Sequence, residues 1–297
     1  MEKQVCNQRA KMYPIVSVLM TSYNREKFIA EAIESVLHSS LTDFELIIVD
    51  DASRDRTVEI ARRYQARDPR IRLYVNERNL GDYANRNRAA SYARGKYLKY
   101  LDSDDVIYEF GLAYCVEKME QSPEAAMASY VPFDLDGDDS QCWPSSRIIH
   151  EHFFSHHCFL FGPSGAIFRR DKFFELGGYD TRFNVISDTF FNVRMASEYP
   201  MVLLRNEFFL YRTHEGQEKN NRRGYLKFGY LYFKELMEHV SLPLARQKIE
   251  FLKRKLQKRH AINLTKFLAE TLDWKGLRQI MVETHFTFTD MLVGYFQ

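Results

Sequence analysis

Long apolar runs are missing from these 297 residues. No stretch approaches the roughly 18 residues of a membrane span. The first residues, MEKQVCNQRAKMYP, lack the apolar core of about 7–15 residues that marks a secretory signal. Cysteine is scarce: Cys6, Cys115, Cys142 and Cys158 form no CxxC pair and no metal spacing with histidine. Free thiols in a reducing compartment follow, so the expected location is the cytoplasm, with peripheral contact on the inner membrane face left open. Net charge is only +2, which gives no global case for nucleic acid. Glycine-rich phosphate loops are also absent. No GxxxxGK[ST] occurs and no GxGxxG follows the first apolar run, which argues against P-loop and dinucleotide enzymes. Without a signal peptide, the sequon Asn263-Leu264-Thr265 reads as chance.

The first 105 residues alternate regularly. Apolar runs at 15–21 (IVSVLMT), 44–51 (FELIIVDD), 71–77 (IRLYVNE) and 96–101 (KYLKYL) read as strands. Helical spacing separates them. Phe28, Ile29, Ala32, Ile33, Val36 and Leu37 share one face, a second helix stops at Pro69, and a third covers about 82–94. Asn24 and Ser53 are candidate caps for the first two helices. Apolar strands alternating with helices predict βαβ units and a mostly parallel sheet covered on both faces. Such sheets bind ligands beyond the carboxyl ends of their strands. Here those ends read MTSYN, VDDAS, VNERN and LDSDD.

Past residue 106 the pattern loosens. A helix (EFGLAYCVEKMEQSP), a strand (AAMASYVPFDL) and a turn-rich loop (DGDDSQCWPSS) are expected, then a strand, short helix and glycine turn (GPSGAIFRRDKFFELGGYD). SDTFFNVRMASEY reads as a helix, and MVLLRNEFFLYRTHE as one strand or two. From about 220 the chain is helical, basic and aromatic; residues 216–297 carry +7 and the remainder −5. The expected organisation is a polar leader (1–13), a catalytic domain (14–215, with donor half 14–105 and acceptor half 106–215), and a basic helical region (216–297). In that last region KIEFLKRKLQKRH suits either an anionic lipid surface or packing against the body or a second subunit.

Asp102, Asp104 and Asp105 put three carboxylates in four positions at the end of a strand. Capping a helix needs one. A hard cation such as Mg²⁺ or Mn²⁺ takes oxygen ligands from carboxylates together with substrate phosphates, and would relieve their repulsion. Asp50 and Asp51 end the second strand alike, and one of them can accept from a base N–H or a ribose hydroxyl. Thr21 and Tyr23 offer a hydroxyl and an aromatic face beside them.

Together, VSVLMTSYNREKFIAEAIESVL, FELIIVDDASRDRT and NERNLGDYANRNRAASYARGKYLKYLDSDD resemble glycosyltransferase family two on the glycosyltransferase A fold, over roughly residues 14–215. The resemblance implies an inverting transfer from a nucleoside diphosphate sugar, often a uridine diphosphate sugar, to a hydroxyl on a saccharide or lipid-linked saccharide, dependent on Mn²⁺ or Mg²⁺. It places Thr21, Tyr23, Asp51, Asn79, Arg86, Asp102 and Ser103 at the donor. It places Asp104, Asp105 and His214 (in YRTHE) at the metal, and Asp188 as the general base. Ser187 stands where many relatives carry glutamate. GPSGAIFRR resembles the segment beneath the acceptor, with His156, His157 and Cys158 just before it, suited to packing or acceptor contact. A sugar nucleotidyltransferase and a non-catalytic nucleotide-sugar-binding partner are the alternatives; the glycine-free TSYNRE argues against the first, and the Asp-x-Asp with Asp188 against the second.

Overall fold

The computed structural model describes residues 13–159, 161–213 and 221–296. The chain forms two compact units that interleave along the sequence. One takes Met1–Cys142, Leu160–Gly178 and Val202–Arg212; the other takes Trp143–Phe159, Tyr179–Met201 and Thr213–Gln297. The stretches 143–159 and 179–201 thus group with the C-terminal helices.

The first unit is built on an eight-stranded sheet. Its strands are β1 (Val16–Ser22), β2 (Phe44–Asp50), β3 (Ile71–Val75), β4 (Tyr97–Tyr100), β6 (Met127–Tyr130), β7 (Ser140–Trp143), β8 (Ala166–Arg169) and β9 (Met201–Leu204), in the order β3-β2-β1-β4-β8-β6-β9-β7. The first four run parallel, and β8 is antiparallel to both β4 and β6. A short ribbon pairs β5 (Val106–Ile107) with β10 (Phe209–Leu210). The crossovers are α1 (Ile29–Leu37), α2 (Thr57–Gln65) and α3 (Asp82–Ser91), with α4 (Gly111–Gln121) and α6 (Arg170–Glu175) following. All seven residues of β1 and of β2 are buried, which is why both strands are rich in apolar residues without a regular polar alternation, and the polar Ser17 and Glu45 among them bond each other. The expected alternation over 15–105 is borne out. MVLLRNEFFLYRTHE holds two strands, and the expected loop DGDDSQCWPSS contains the sheet-end strand β7.

The second unit holds α5 (Ser145–Phe154), a 3₁₀ turn (Thr181–Ile186), α7 (Ser187–Glu198), α8 (Arg222–His239), α9 (Arg246–Thr271), α10 (Trp274–Thr284) and α11 (Phe288–Phe296). Ala261, Leu264 and Phe267 of α9 pack with Leu277, Ile280 and Met281 of α10 and with Phe286. Asn221 caps α8 through the Gly224 amide, and Asp273 caps α10 through that of Gly276.

One close approach fixes β4 beside β1. A Cβ at Gly95 would sit 2.6 Å from the Ser17 amide nitrogen, a backbone atom in a central strand. The Gly95 amide bonds Ser17 Oγ (2.9 Å), and that hydroxyl donates to the buried Glu45 (2.7 Å). Arg72 and Arg94 pair with the same carboxylate at 3.0 and 2.8 Å. Burial opposes its ionisation, but the bonds from Ser17, Arg94 and Arg72 prevail and hold its pKa below the ordinary value. Gly95→Ala should therefore destabilise the protein by about 1–3 kcal/mol through overpacking, lowering the thermal midpoint in a melt followed by circular dichroism. An unchanged midpoint would mean that the loop can withdraw from β1.

Candidate active site at the carboxyl ends of the parallel strands

Asp102, Asp104 and Asp105 follow β4 directly. Each can offer one carboxylate oxygen such that all three lie within 4.8 Å of one another. Asp102 Oδ1 accepts from an Arg86 guanidinium nitrogen (2.6 Å), and Asp104 Oδ2 from Arg25 Nε (2.9 Å). Asp105 Oδ1 accepts from the Arg212 amide (3.1 Å). Asp105 Oδ2 is buried, and no described residue donates to it. Burial first, then the charges of Asp102 and Asp104, push the Asp105 carboxyl up to about 7, with the neighbouring Ser164 hydroxyl and the Arg212 amide working the other way. An orphaned, buried carboxylate oxygen beside two more carboxylates is an oxygen-only donor set that fits a hard divalent cation.

The acidic turn is tied down on every side. Ser103 Oγ donates to the Thr21 carbonyl (2.8 Å), so this hydroxyl tethers the turn to β1. The Asp102 amide donates to Ser164 Oγ (3.0 Å). The Arg212 side chain reaches the carbonyls of Asp104, Asp105 and Phe28 and pairs with Glu31. Beneath the turn lies Lys99, with no exposed surface; its ammonium donates to the Tyr100 carbonyl (2.6 Å) and the Ser164 carbonyl. Burial lowers its pKa to about 8, against the attraction of Cys115, Asp102 and Asp105.

Asp51 closes β2. Its Oδ1 accepts from Asn76 Nδ2 (2.7 Å) and the Leu80 amide (2.8 Å), and its Oδ2 from the Gly81 amide (3.0 Å). A carboxylate has about four acceptor positions, so three of them hold the 76–81 loop and about one remains. Asn76 also donates to Asn85 Oδ1 (2.8 Å), and Asn85 donates to the Val49 carbonyl (2.9 Å), a buried amide relay between loop, α3 and β2. Asp50 is consumed locally by Ser22 and Ser53. Thr21 is nearly buried, whereas Tyr23 and Asn79 are exposed, and Asn79 Oδ1 accepts from the Gly81 amide (3.0 Å). Arg86 is buried, bridging Asp102 and Asp82. Burial disfavours its charge, but the two carboxylates outweigh that and hold its pKa well above the ordinary value.

Asn24 and Ser53 are corrections. Neither caps a helix: the residues preceding α1 and α2 make no side-chain cap. Asn24, at φ 53°, receives the Arg54 amide on its side chain (2.9 Å), while its own amide donates to Ser53 Oγ (2.8 Å). They join the first two loops of the site to each other. Asp188 belongs to the second unit, in the first turn of α7, where its Oδ1 accepts from the Thr189 amide (2.7 Å). Ser187 is buried and donates to the Asp180 carbonyl (2.7 Å). The Tyr232 phenol on α8 is pushed up to about 12, by burial first, with Arg259 opposing and the Asp188 carboxylate adding. His214 lies outside the described residues. Of the residues not anticipated, Arg25, Asn76 and Asn85 carried no pattern of their own, while Arg212 stood in the YRTHE stretch already singled out.

A mostly parallel sheet with an acidic turn at its carboxyl edge defines a glycosyltransferase A fold, and solved structures agree. TarS of S. aureus, crystallised in complex with UDP, superimposes with a TM-score of 0.71 at 18% identity, over 93% of this chain and 80% of that one. The sequence matches the profile of Glycosyl transferase family 2 over residues 17–177. An uncharacterized glycosyltransferase of Methanocaldococcus jannaschii is 33% identical over 208 residues, 67% of this chain and 71% of that protein. TuaG of Bacillus subtilis, a putative teichuronic acid biosynthesis glycosyltransferase, is 37% identical over 138 residues, 46% of this chain and 53% of TuaG. The chain belongs to glycosyl transferase family 2 and is a glycosyltransferase, as its motifs implied.

Asp51→Asn should loosen the 76–81 loop specifically. One amide oxygen cannot replace two carboxylate oxygens, and its NH₂ would face the N–H groups of Leu80 or Gly81. A loss of about 2–3 kcal/mol is expected. Hydrogen exchange at the Leu80 and Gly81 amides should quicken more than in β1, and uniform quickening would contradict this anchoring role.

Proposed function

We propose that this chain is a metal-dependent inverting transferase that moves a sugar from a nucleoside diphosphate donor, a UDP-sugar by preference, to a hydroxyl of a saccharide or lipid-linked saccharide during polysaccharide synthesis. The observation that carries the reading is the orphaned oxygen of Asp105 within the cluster of three carboxylates. The complex of TarS with UDP supports a uridine donor. The name of TuaG supports a polysaccharide product.

In this reading Tyr23 offers its exposed ring to the base, Asp51 accepts from the nucleoside through its remaining position, and Asn79 and Arg86 border the nucleotide. Asp102 orients the ribose side, and Ser103 keeps the turn on β1. Asp104 and Asp105 would hold the cation, together with His214 by family resemblance. A bound Mg²⁺ or Mn²⁺ would stabilise the departing nucleoside diphosphate. Asp188 takes the proton of the acceptor hydroxyl as that oxygen bonds the anomeric carbon and the bond from carbon to phosphate oxygen breaks.

A thermal-shift panel of uridine and guanosine diphosphates and their sugars, each with Mn²⁺, Mg²⁺ or chelator, tests the donor and the metal together. A uridine nucleotide should raise the midpoint in the presence of metal and not with chelator, adding about 2.7 kcal/mol at a hundredfold excess over Kd. No shift with any nucleotide in any metal would remove the reading. Asp104→Asn should abolish the metal-dependent shift. Asp188→Asn should keep the shift and lower kcat about 10²–10⁴-fold, and full turnover in that variant would move the base elsewhere.

A further inference from the structure

The C-terminal helices distribute their apolar residues in an unexpected way. On α9, Leu252, Ala261, Leu264 and Phe267 are buried, whereas Phe251 is 47% exposed. α11 is more exposed still. Gly294 is its one buried residue, lying so close to α9 that a Cβ would sit 3.0 Å from the Gln257 carbonyl oxygen and 3.1 Å from the Ala261 Cβ. Met291 packs against the same core. At about 100° per residue, Phe288, Leu292 and Phe296 fall on the opposite arc with Val293 at its edge, while the Tyr295 hydroxyl donates to Thr265 of α9. Phe288, Leu292 and Phe296 are 68%, 62% and 90% exposed. Asp290, the one acidic residue of the helix, is engaged with Thr287 at its start.

The ridge of α9 beside this helix is basic. Across Arg246–Thr271 there are eight lysines and arginines against two glutamates. Arg254 and Lys258 flank Gln257, the residue against which α11 packs, and Lys255 lies next to them. All three are exposed, and none is paired with a described acidic residue. We infer that α11 is an interfacial helix that seats its apolar arc in an anionic lipid surface, with Arg254, Lys255 and Lys258 at the headgroups. Charge complementarity selects this occupant. An exposed apolar arc with lysine and arginine exposed on the neighbouring helix matches an anionic leaflet, where long basic side chains reach the headgroups while their stems stay apolar. A second copy of the chain docked through the same arc about a two-fold axis would bring each basic ridge toward its own image, with Asp290 as the one acidic residue on α11 to balance it. This inference goes beyond the donor and metal assignments and does not depend on them.

Co-sedimentation of the full chain with vesicles tests it. Binding is expected to vesicles of phosphatidylcholine mixed with phosphatidylglycerol, much weaker binding to phosphatidylcholine alone, and weakening as salt rises. Leu292→Ser combined with Phe296→Ser should lower partitioning about tenfold or more while leaving the thermal midpoint in place, since both side chains are exposed. Arg254→Glu with Lys258→Glu should remove the preference for the anionic vesicles. Equal binding to both vesicles, no binding to either, or undiminished binding by the serine variant would each overturn the proposal. A dimer in sedimentation velocity that the serine variant dissolves, without vesicle binding, would assign the arc to a second copy instead.

Discussion

Mutual repulsion among Asp102, Asp104 and Asp105 organises the first unit. Two carboxylates 4.8 Å apart repel by about 3 kcal/mol at the effective dielectric of a protein surface, and three such pairs act together. Left alone, the turn would splay or take up a proton. The chain answers with charges drawn from distant segments: Arg25 after β1, Arg86 from α3, Arg212 after β10, and Lys99 beneath the turn. Each also bonds a backbone carbonyl or a second carboxylate, so each fixes a loop while it offsets a charge. Asp105 carries what remains: burial first, then the charges of Asp102 and Asp104, raise its pKa.

The loops around this turn are held to one another more than to their own helices. Asn24 and Ser53 join the first and second loops, Asp51 gathers the third, and Ser103 draws the acidic turn onto β1. Side chains arranged in this way are positioned before any ligand arrives, which lowers the ordering cost of binding. Glycine permits the arrangement at one point in particular: Gly95 lets the α3–β4 loop close on Ser17, and so sets where β4 ends and where the carboxylates begin.

This division also explains how much could be read from sequence. The parallel half of the sheet was legible because burial on both faces writes itself as apolar-rich runs without regular alternation in β1 and β2. The acidic turn was legible because three carboxylates in four residues need a reason. Asn24 and Ser53 misled, since the preference of Asn and Ser for helix caps is a local rule and here tertiary contacts between loops took both side chains. β7 hid in a polar stretch because a strand at the end of the sheet order needs little apolar sequence. The interleaved units left no mark, as no linker composition separates residues 143–159 or 179–201 from their neighbours. On α9 and α11 composition pointed to the right region, but only packing reveals which helix turns its apolar side outward.

The missing glycine-rich loop and the occupied arginines bear on the same question. In the proposed reading a nucleoside diphosphate would bring negative charge to a rim that already holds Asp51, Asp82, Asp102, Asp104 and Asp105. A P-loop meets such charge with backbone amides. Here the amides of Leu80 and Gly81 are committed to Asp51. Arg86 is shared between two carboxylates, Arg25 holds Asp104, and Lys99 is sealed beneath the sheet edge. Drawing Arg25 or Arg86 to a phosphate would release a carboxylate into the cluster and raise the repulsion it now relieves. Charge balance therefore favours a cation that arrives with the donor, and the family's acidic turn makes physical sense as a surface completed by its substrate rather than by the protein alone.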